Sequence, residues 1–196
     1  MKIQIKLHSN QSLSRKKQTR AIEKSHHLYK QISSYIYSSF FPSTPSLLPS
    51  FEIKKISQNT DSTGWLNYIS WKKKNAKIYY FQHKKLYQLP LGNQIDDRIN
   101  ECYLFSGNRF ENFQKIPNLF PFHFDQFHHL NFDTIKHFFE NFSIAHKYAT
   151  FNPKTNLYSL FLYRVCLKKN NHYYQYYVFD SNQFFPEFEI EYSIYK

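Results

Sequence analysis

The stretch LYSLFLYRVCL, residues 157–167, constrains the fold more than any other part of the chain. Its apolar residues do not alternate with polar ones, so an extended segment here has no side to turn to water. It reads as a strand buried on both faces. KKNN follows as a tight turn, and HYYQYYVFD, residues 172–180, reads as a second strand. Past SNQFFP comes a third, in which Phe188, Ile190, Tyr192 and Ile194 alternate with Glu187, Glu189, Glu191 and Ser193. Period-two spacing puts the first set inward and the acids on one solvated face.

Upstream, Ile3, Ile5 and Leu7 alternate briefly before the chain turns polar and basic, the profile of a frayed terminus, and residues 1–25 are assigned to a basic tail. Within 20–41 the spacing of Leu28, Ile32, Tyr35, Ile36 and Phe40 is helical, and the prolines of FPSTPSLLPS stop it, leaving 42–50 as a loop. Residues 50–59 read as a strand with Phe51, Ile53 and Ile56 inward. TDSTG, 60–64, reads as a turn, Trp65, Tyr68 and Ile69 as a helical turn, and 78–81 as extended. Cys102, Tyr103, Leu104 and Phe105 form a short buried strand, after which Gly107 implies a sharp reversal through left-handed backbone angles. Asn108 and Glu111 stand at N-cap and N3 spacing, so a short helix runs to Pro117. Strands at both ends with helices between give the α+β class with largely antiparallel sheet and flanking helices.

At 196 residues the chain is one domain with room for a real core. A net charge of +12 and an aromatic content of 20% point in principle to nucleic acid or an anionic surface. Abundant Phe, Tyr, Asn, Lys and Ile also follow from an A/T-rich genome, which weakens that inference. Cys102 and Cys166 give neither a disulfide framework nor a zinc pattern, which favours a reducing, intracellular compartment, nucleus or cytoplasm. SRKKQTR, 14–20, is read as solvated tail in preference to a nuclear or transit signal. No apolar run approaches a membrane span. His123, His128 and His129 lie among phenylalanines with no acid or cysteine at ligand spacing, so no metal site is expected. Gly64, Gly92 and Gly107 are the only glycines, too few and too scattered for a phosphate-cradling loop.

Three motifs occur in order: Ile53, Ile56 and Asn59 before Trp65, Tyr68 and Lys72 to Lys74; then Asn100, Glu101, Leu104, Phe105 and Gly107; then Val178, Phe179, Asp180, Gln183, Pro186, Glu187, Phe188, Ile190 and Tyr192. Over 26–196 this arrangement resembles the catalytic domain of the poly(ADP-ribose) polymerase (PARP)-like ADP-ribosyltransferases. The resemblance implies that fold, with NAD as the substrate and a protein or nucleic acid as the acceptor. It also implies roles. Gly107 would hold the nicotinamide amide through its backbone, and Ser106 stands where the family has a histidine that bonds a ribose hydroxyl. Phe138 falls at the family's stacking tyrosine and Ala145 at its amide-capping serine, while Gln175 replaces the glutamate that binds the nicotinamide ribose. Two readings of 133–149 stay open: the family's strand and helix, or a single amphipathic helix with Phe138 in the core.

With Ser106 and Ala145 in place of donors to NAD, affinity is expected to fall about a hundredfold. The missing carboxylate at Gln175 lowers the rate further, on the order of 10²–10³. The expectation is an ADP-ribosyltransferase fold with weak or absent mono-ADP-ribosylation, a pseudoenzyme. The alternative is a scaffold or RNA-binding protein that uses residues 71–85, beginning with Trp71 and ending with Lys85, to pair phosphates and stack bases.

Overall fold

The computed structural model describes residues 18–40, 50–75, 101–107, 136–167, 175–178 and 180–195. In chain order these form β1 (Thr19–Ala21), α1 (His27–Ser38), β2 (Ser50–Asn59), α2 (Ser62–Asn75), β3 (Glu101–Ser106), β4 (Lys136–Phe139), α3 (Phe142–His146), β5 (Thr150–Asn152), β6 (Leu157–Cys166), β7 (Gln175–Val178) and β8 (Phe184–Tyr195). A 3₁₀ turn over Ser181–Gln183 leads into β8. The described strands make one antiparallel sheet in the order β1-β2-β8-β6-β3-β4-β7, with β5 paired to β6. The class is α+β with mostly antiparallel sheet, as the sequence indicates.

The apolar run of β6 lies at the centre of the sheet, between β3 and β8. Its alternate side chains enter two separate clusters. On one face Leu160 and Leu162 join Phe105, Phe139, Phe188, Ile190 and Tyr192. On the other Tyr163 and Val165 join Cys102, Leu104, Phe138 and Val178.

Helix α1 covers the first face with Tyr29, Ile32, Tyr35 and Ile36, one helical stripe. It starts at His27, where the His26 ring accepts from the Leu28 N–H, and not near Arg20. Residues 19–21 lie inside the stretch assigned to the tail, yet they pair with β2. Helix α2 begins at Ser62, so the residues read as a turn through Gly64 already belong to its first turn. Asp61 caps it, accepting from the Thr63 and Gly64 N–H groups at 3.1 and 3.2 Å.

Two β-bulges decide which side chains face inward. On β2 the register shifts between Ile53 and Lys55, so Ile53 and Ile56 both reach the core although three residues apart. On β8 the pairing passes from Phe188 opposite Leu162 to Pro186 opposite Tyr163, leaving Glu187 as the extra residue. Glu187 is thereby buried, which corrects its placement on a solvated face; Glu189 and Glu191 remain partly exposed.

The loop at 42–49, the extended piece at 78–81, the helix from Asn108 to Pro117 and the turn at 168–171 lie outside the described residues. No helix among the described residues is long and apolar enough to cross a membrane.

Candidate functional site

Strand β3 brings two groups of residues into play, one at each end. At its C-terminal end stand the residues singled out by the resemblance. Ser106 is buried, and its hydroxyl donates to the His137 carbonyl at 2.6 Å, with the Gly107 carbonyl at 3.3 Å. Gly107 does not adopt a positive φ. Its lack of a side chain matters for another reason: a Cβ there would lie 1.8 Å from the Tyr148 carbonyl oxygen. Close approach of two backbones, and not the left-handed turn expected from the sequence, therefore requires glycine here. Lys136 Nζ lies 3.5 Å from the Gly107 carbonyl and 5.0 Å from the centre of the Tyr163 ring. Burial pulls its ammonium down from the usual 10.5 to about 8.

Residues 136–139 form a strand, so the single-helix reading of 133–149 is set aside. A new helix starts after Asn141, whose side-chain oxygen accepts from the Ser143 and Ile144 N–H groups at 2.8 and 3.2 Å. Phe138 nevertheless lies in the core. It is fully buried, with Tyr163 and Phe184 edge-on at 5.2 and 5.3 Å. Ala145 belongs to the cluster on the other face, with Phe105 and Phe142. Across the sheet Gln175 pairs with Phe139, and Phe138 pairs with Tyr176. The structure thus brings Ser106, Gly107 and β4 together, with Ala145 in the core cluster that also holds Phe139 of β4 and its carbonyl accepting from the N–H of Tyr148, the residue that abuts Gly107. Among these residues the Ser106 hydroxyl proton is taken by a backbone carbonyl, Phe138 is fully buried, and Ala145 carries no polar side chain.

The N-terminal end of β3 carries chemistry of another kind. Arg164 is 2% exposed on β6, and its Nε and Nη2 donate to the Glu187 carboxylate at 2.9 and 3.3 Å. Tyr103 accepts from Nη2 and donates to the same carboxylate, both at 2.7 Å. Glu101, also buried, lies 3.5 Å from Arg164 Nη1 and receives Lys72 Nζ at 2.6 Å and the Tyr68 hydroxyl at 2.6 Å. The Tyr68 oxygen also lies 3.2 Å from Cys166 Sγ. Two cations and two carboxylates close on one another, so no bare charge is buried.

Burial alone would lower the Arg164 pKa, but the Glu187 hydrogen bonds and charge hold it above its ordinary value. Burial raises the Tyr68 phenol and pushes the Cys166 thiol up to about 12, keeping both protonated near neutrality. Cys102 is likewise buried and its thiol raised by burial; neither cysteine is in a disulfide.

Helix α2 is fastened over this network. Trp65 lies under the Arg164 guanidinium at 5.5 Å, and Trp71 Nε1 donates to Asp180 at 2.7 Å. The proposed stacking stretch 71–85 therefore begins with a tryptophan and a lysine that both have structural partners; Tyr79, Tyr80 and Phe81 lie outside the described residues. Sequence reasoning missed the network. Its signal was Arg164, a lone charge inside the most apolar strand of the chain, which must find carboxylates once buried. Beside the network is a cavity of about 230 Å³, bounded by the end of β2, the start of α2 and the β8 bulge.

The described part of the molecule is thus an antiparallel sheet with its three helices on one face and a closed ionic network beneath α2. Compared with models of known protein families and with curated protein sequences, the chain matches none.

Proposed function

We propose that the chain is a PARP-like ADP-ribosyltransferase domain that has kept the fold and lost most or all of the transferase reaction. Three motifs in order support the fold assignment. The loss of activity rests on one observation above all, that the Ser106 hydroxyl donates to the His137 carbonyl at 2.6 Å. With its proton committed to the sheet and its side chain buried, Ser106 has no donor to offer a ribose hydroxyl. Phe138, edge-on to Tyr163 and Phe184, offers no stacking surface. Two buried free thiols are in keeping with an intracellular, reducing setting in nucleus or cytoplasm.

The test is thermal. A ligand at 100 times its dissociation constant stabilises a fold by about 2.7 kcal/mol. For a domain of this size that raises Tm by roughly 5–10 °C. Affinity a hundredfold weaker brings the same concentration near Kd and leaves about 0.4 kcal/mol, a shift of about 1 °C. We expect that small shift, and no label transfer from NAD above a control with excess unlabelled NAD. A Gly107 variant is no clean control, because any Cβ there meets Tyr148. A large shift with label transfer defeats the proposal.

A further inference from the structure

The cavity beside α2 has a chemistry that the proposed function does not use. Its walls hold the carboxylates of Asp61 and Glu187, the polar side chains of Gln58 and Ser62, and the rings of Trp65 and Phe185, which meet edge-on at 5.2 Å. No lysine, arginine or histidine is among the lining residues, although the whole chain carries a net charge of +12. A helix start would ordinarily attract an anion. Here Asp61 Oδ1 already takes the Thr63 and Gly64 N–H groups, so an entering anion would meet two carboxylates and find those donors occupied. The Asn59 amide is turned toward β8, one of its two N–H groups donating to the Pro186 carbonyl. Arg164 neutralises Glu187 from behind the wall, so the uncompensated charge facing the cavity is that of Asp61, and the cavity favours an ammonium over a phosphate or carboxylate.

Within that preference the groups differ in what they have left to give. Glu187 is held by Arg164 and Tyr103. The second oxygen of Asp61, Oδ2, accepts no hydrogen bond among the described residues, and Asp61 is only partly buried. It is the acceptor with capacity for a ligand. Trp65 and Phe185 supply an apolar wall beside it, suited to a short hydrocarbon stem.

We propose that this cavity binds an alkylammonium group, its –NH₃⁺ donating to Asp61 Oδ2 and its methylene stem lying on Trp65 and Phe185. Such a group is carried by a lysine side chain of a partner or by a free aliphatic diamine. The probes are butylammonium, Nα-acetyl-lysine N-methylamide and 1,4-diaminobutane, titrated into the full chain by calorimetry, with the Trp65 indole N–H followed by NMR. Butylammonium should bind with a dissociation constant on the order of millimolar, as suits so small a ligand. Butyrate should not bind.

Asp61→Asn keeps an oxygen for the Thr63 and Gly64 N–H groups but removes the charge, so the helix stays capped while affinity falls roughly ten- to hundredfold. Thr60→Lys, from an exposed position on the rim, places a tethered ammonium at the cavity and should suppress binding as well. A lysine derivative that binds tenfold tighter than the diamine marks a peptide partner, and the reverse marks a free diamine; both uphold the site. Undetectable binding of every amine probe to the unmodified chain overturns it. So does equal binding of butyrate, or an Asp61→Asn protein that folds and binds unchanged. None of these outcomes depends on NAD, so this proposal and the preceding one stand or fall separately.

Discussion

The two ends of β3 belong to one six-residue strand and are held in opposite ways. At Glu101 side chains do the work: Lys72, Tyr68 and Arg164 converge on one carboxylate, and Arg164 passes the connection to Tyr103 and Glu187. At Ser106 the partners are backbone carbonyls: the Ser106 hydroxyl donates to that of His137, and Gly107 lies against that of Tyr148. Side-chain networks fix residue identity, because removing one charged member strands the others. A contact with a backbone carbonyl involves one side chain at a time, so changing it strands no buried charge.

The largest test of that contrast is Arg164→Met. Loss of the guanidinium leaves the Glu187 charge, among the described residues, with the Tyr103 hydroxyl, and takes a cation from beside Glu101. Breaking a buried pair costs about 3–5 kcal/mol. For a domain of this length that lowers Tm by roughly 6–20 °C. Adding Glu187→Leu should restore part of it, since the uncompensated charge goes too. Denaturant unfolding of the three proteins measures this, and an Arg164→Met protein within 1 kcal/mol of the original would break the contrast.

Gly107→Ala probes the other end and should cost less. The new methyl meets a carbonyl of a distant segment, which must move, and such overpacking costs about 1–3 kcal/mol. The expected loss is the same in the presence and absence of NAD. A loss that appears only with NAD would instead place the importance of Gly107 in ligand binding.

Much of this was legible in the chain, and the gaps have physical causes. β6 and the alternating part of β8 were readable because burial on two faces or one writes itself into a period along a single strand. The bulge at Glu187 was not, since the extra residue exists only relative to β6, its partner strand. Phe138, Phe139, Phe142, Ala145 and Ala149 suit a helix or a strand followed by a helix equally well. Asn141, a ready N-cap, was the residue that divides them. Gly107 was read as a left-handed turn because that is glycine's local signature. Its real constraint comes from Tyr148, a contact that no local pattern encodes.

The smallest expected effect concerns Lys136, which shares the Ser106 end of the sheet. Its ammonium is pulled down from 10.5 to about 8 by burial. Between those values the unfolded chain holds the proton while the folded one has released it. More protons bound in the unfolded state means that stability rises with pH through this window. Below about pH 8 both states are protonated, and the penalty for burying the ammonium is present in full. Above the window it is gone. The thiols of Cys102 and Cys166 and the phenol of Tyr163, all held above their ordinary values by burial, act in the opposite sense as the unfolded groups ionise, the thiols at about 8.5 and the tyrosine at about 10. A Lys136 variant carries them too, so they cancel in its difference from the original chain. Lys136→Met removes the titrating group and keeps most of the stem against Tyr163. Unfolding free energies of the two proteins, measured at half-unit steps from pH 7 to 9.5, should therefore converge: the variant is the more stable at pH 7, and its advantage shrinks as the native lysine deprotonates. A difference that stays constant across the interval would mean that Lys136 remains charged in the fold, solvated or paired, and that this end of β3 is as polar as the other.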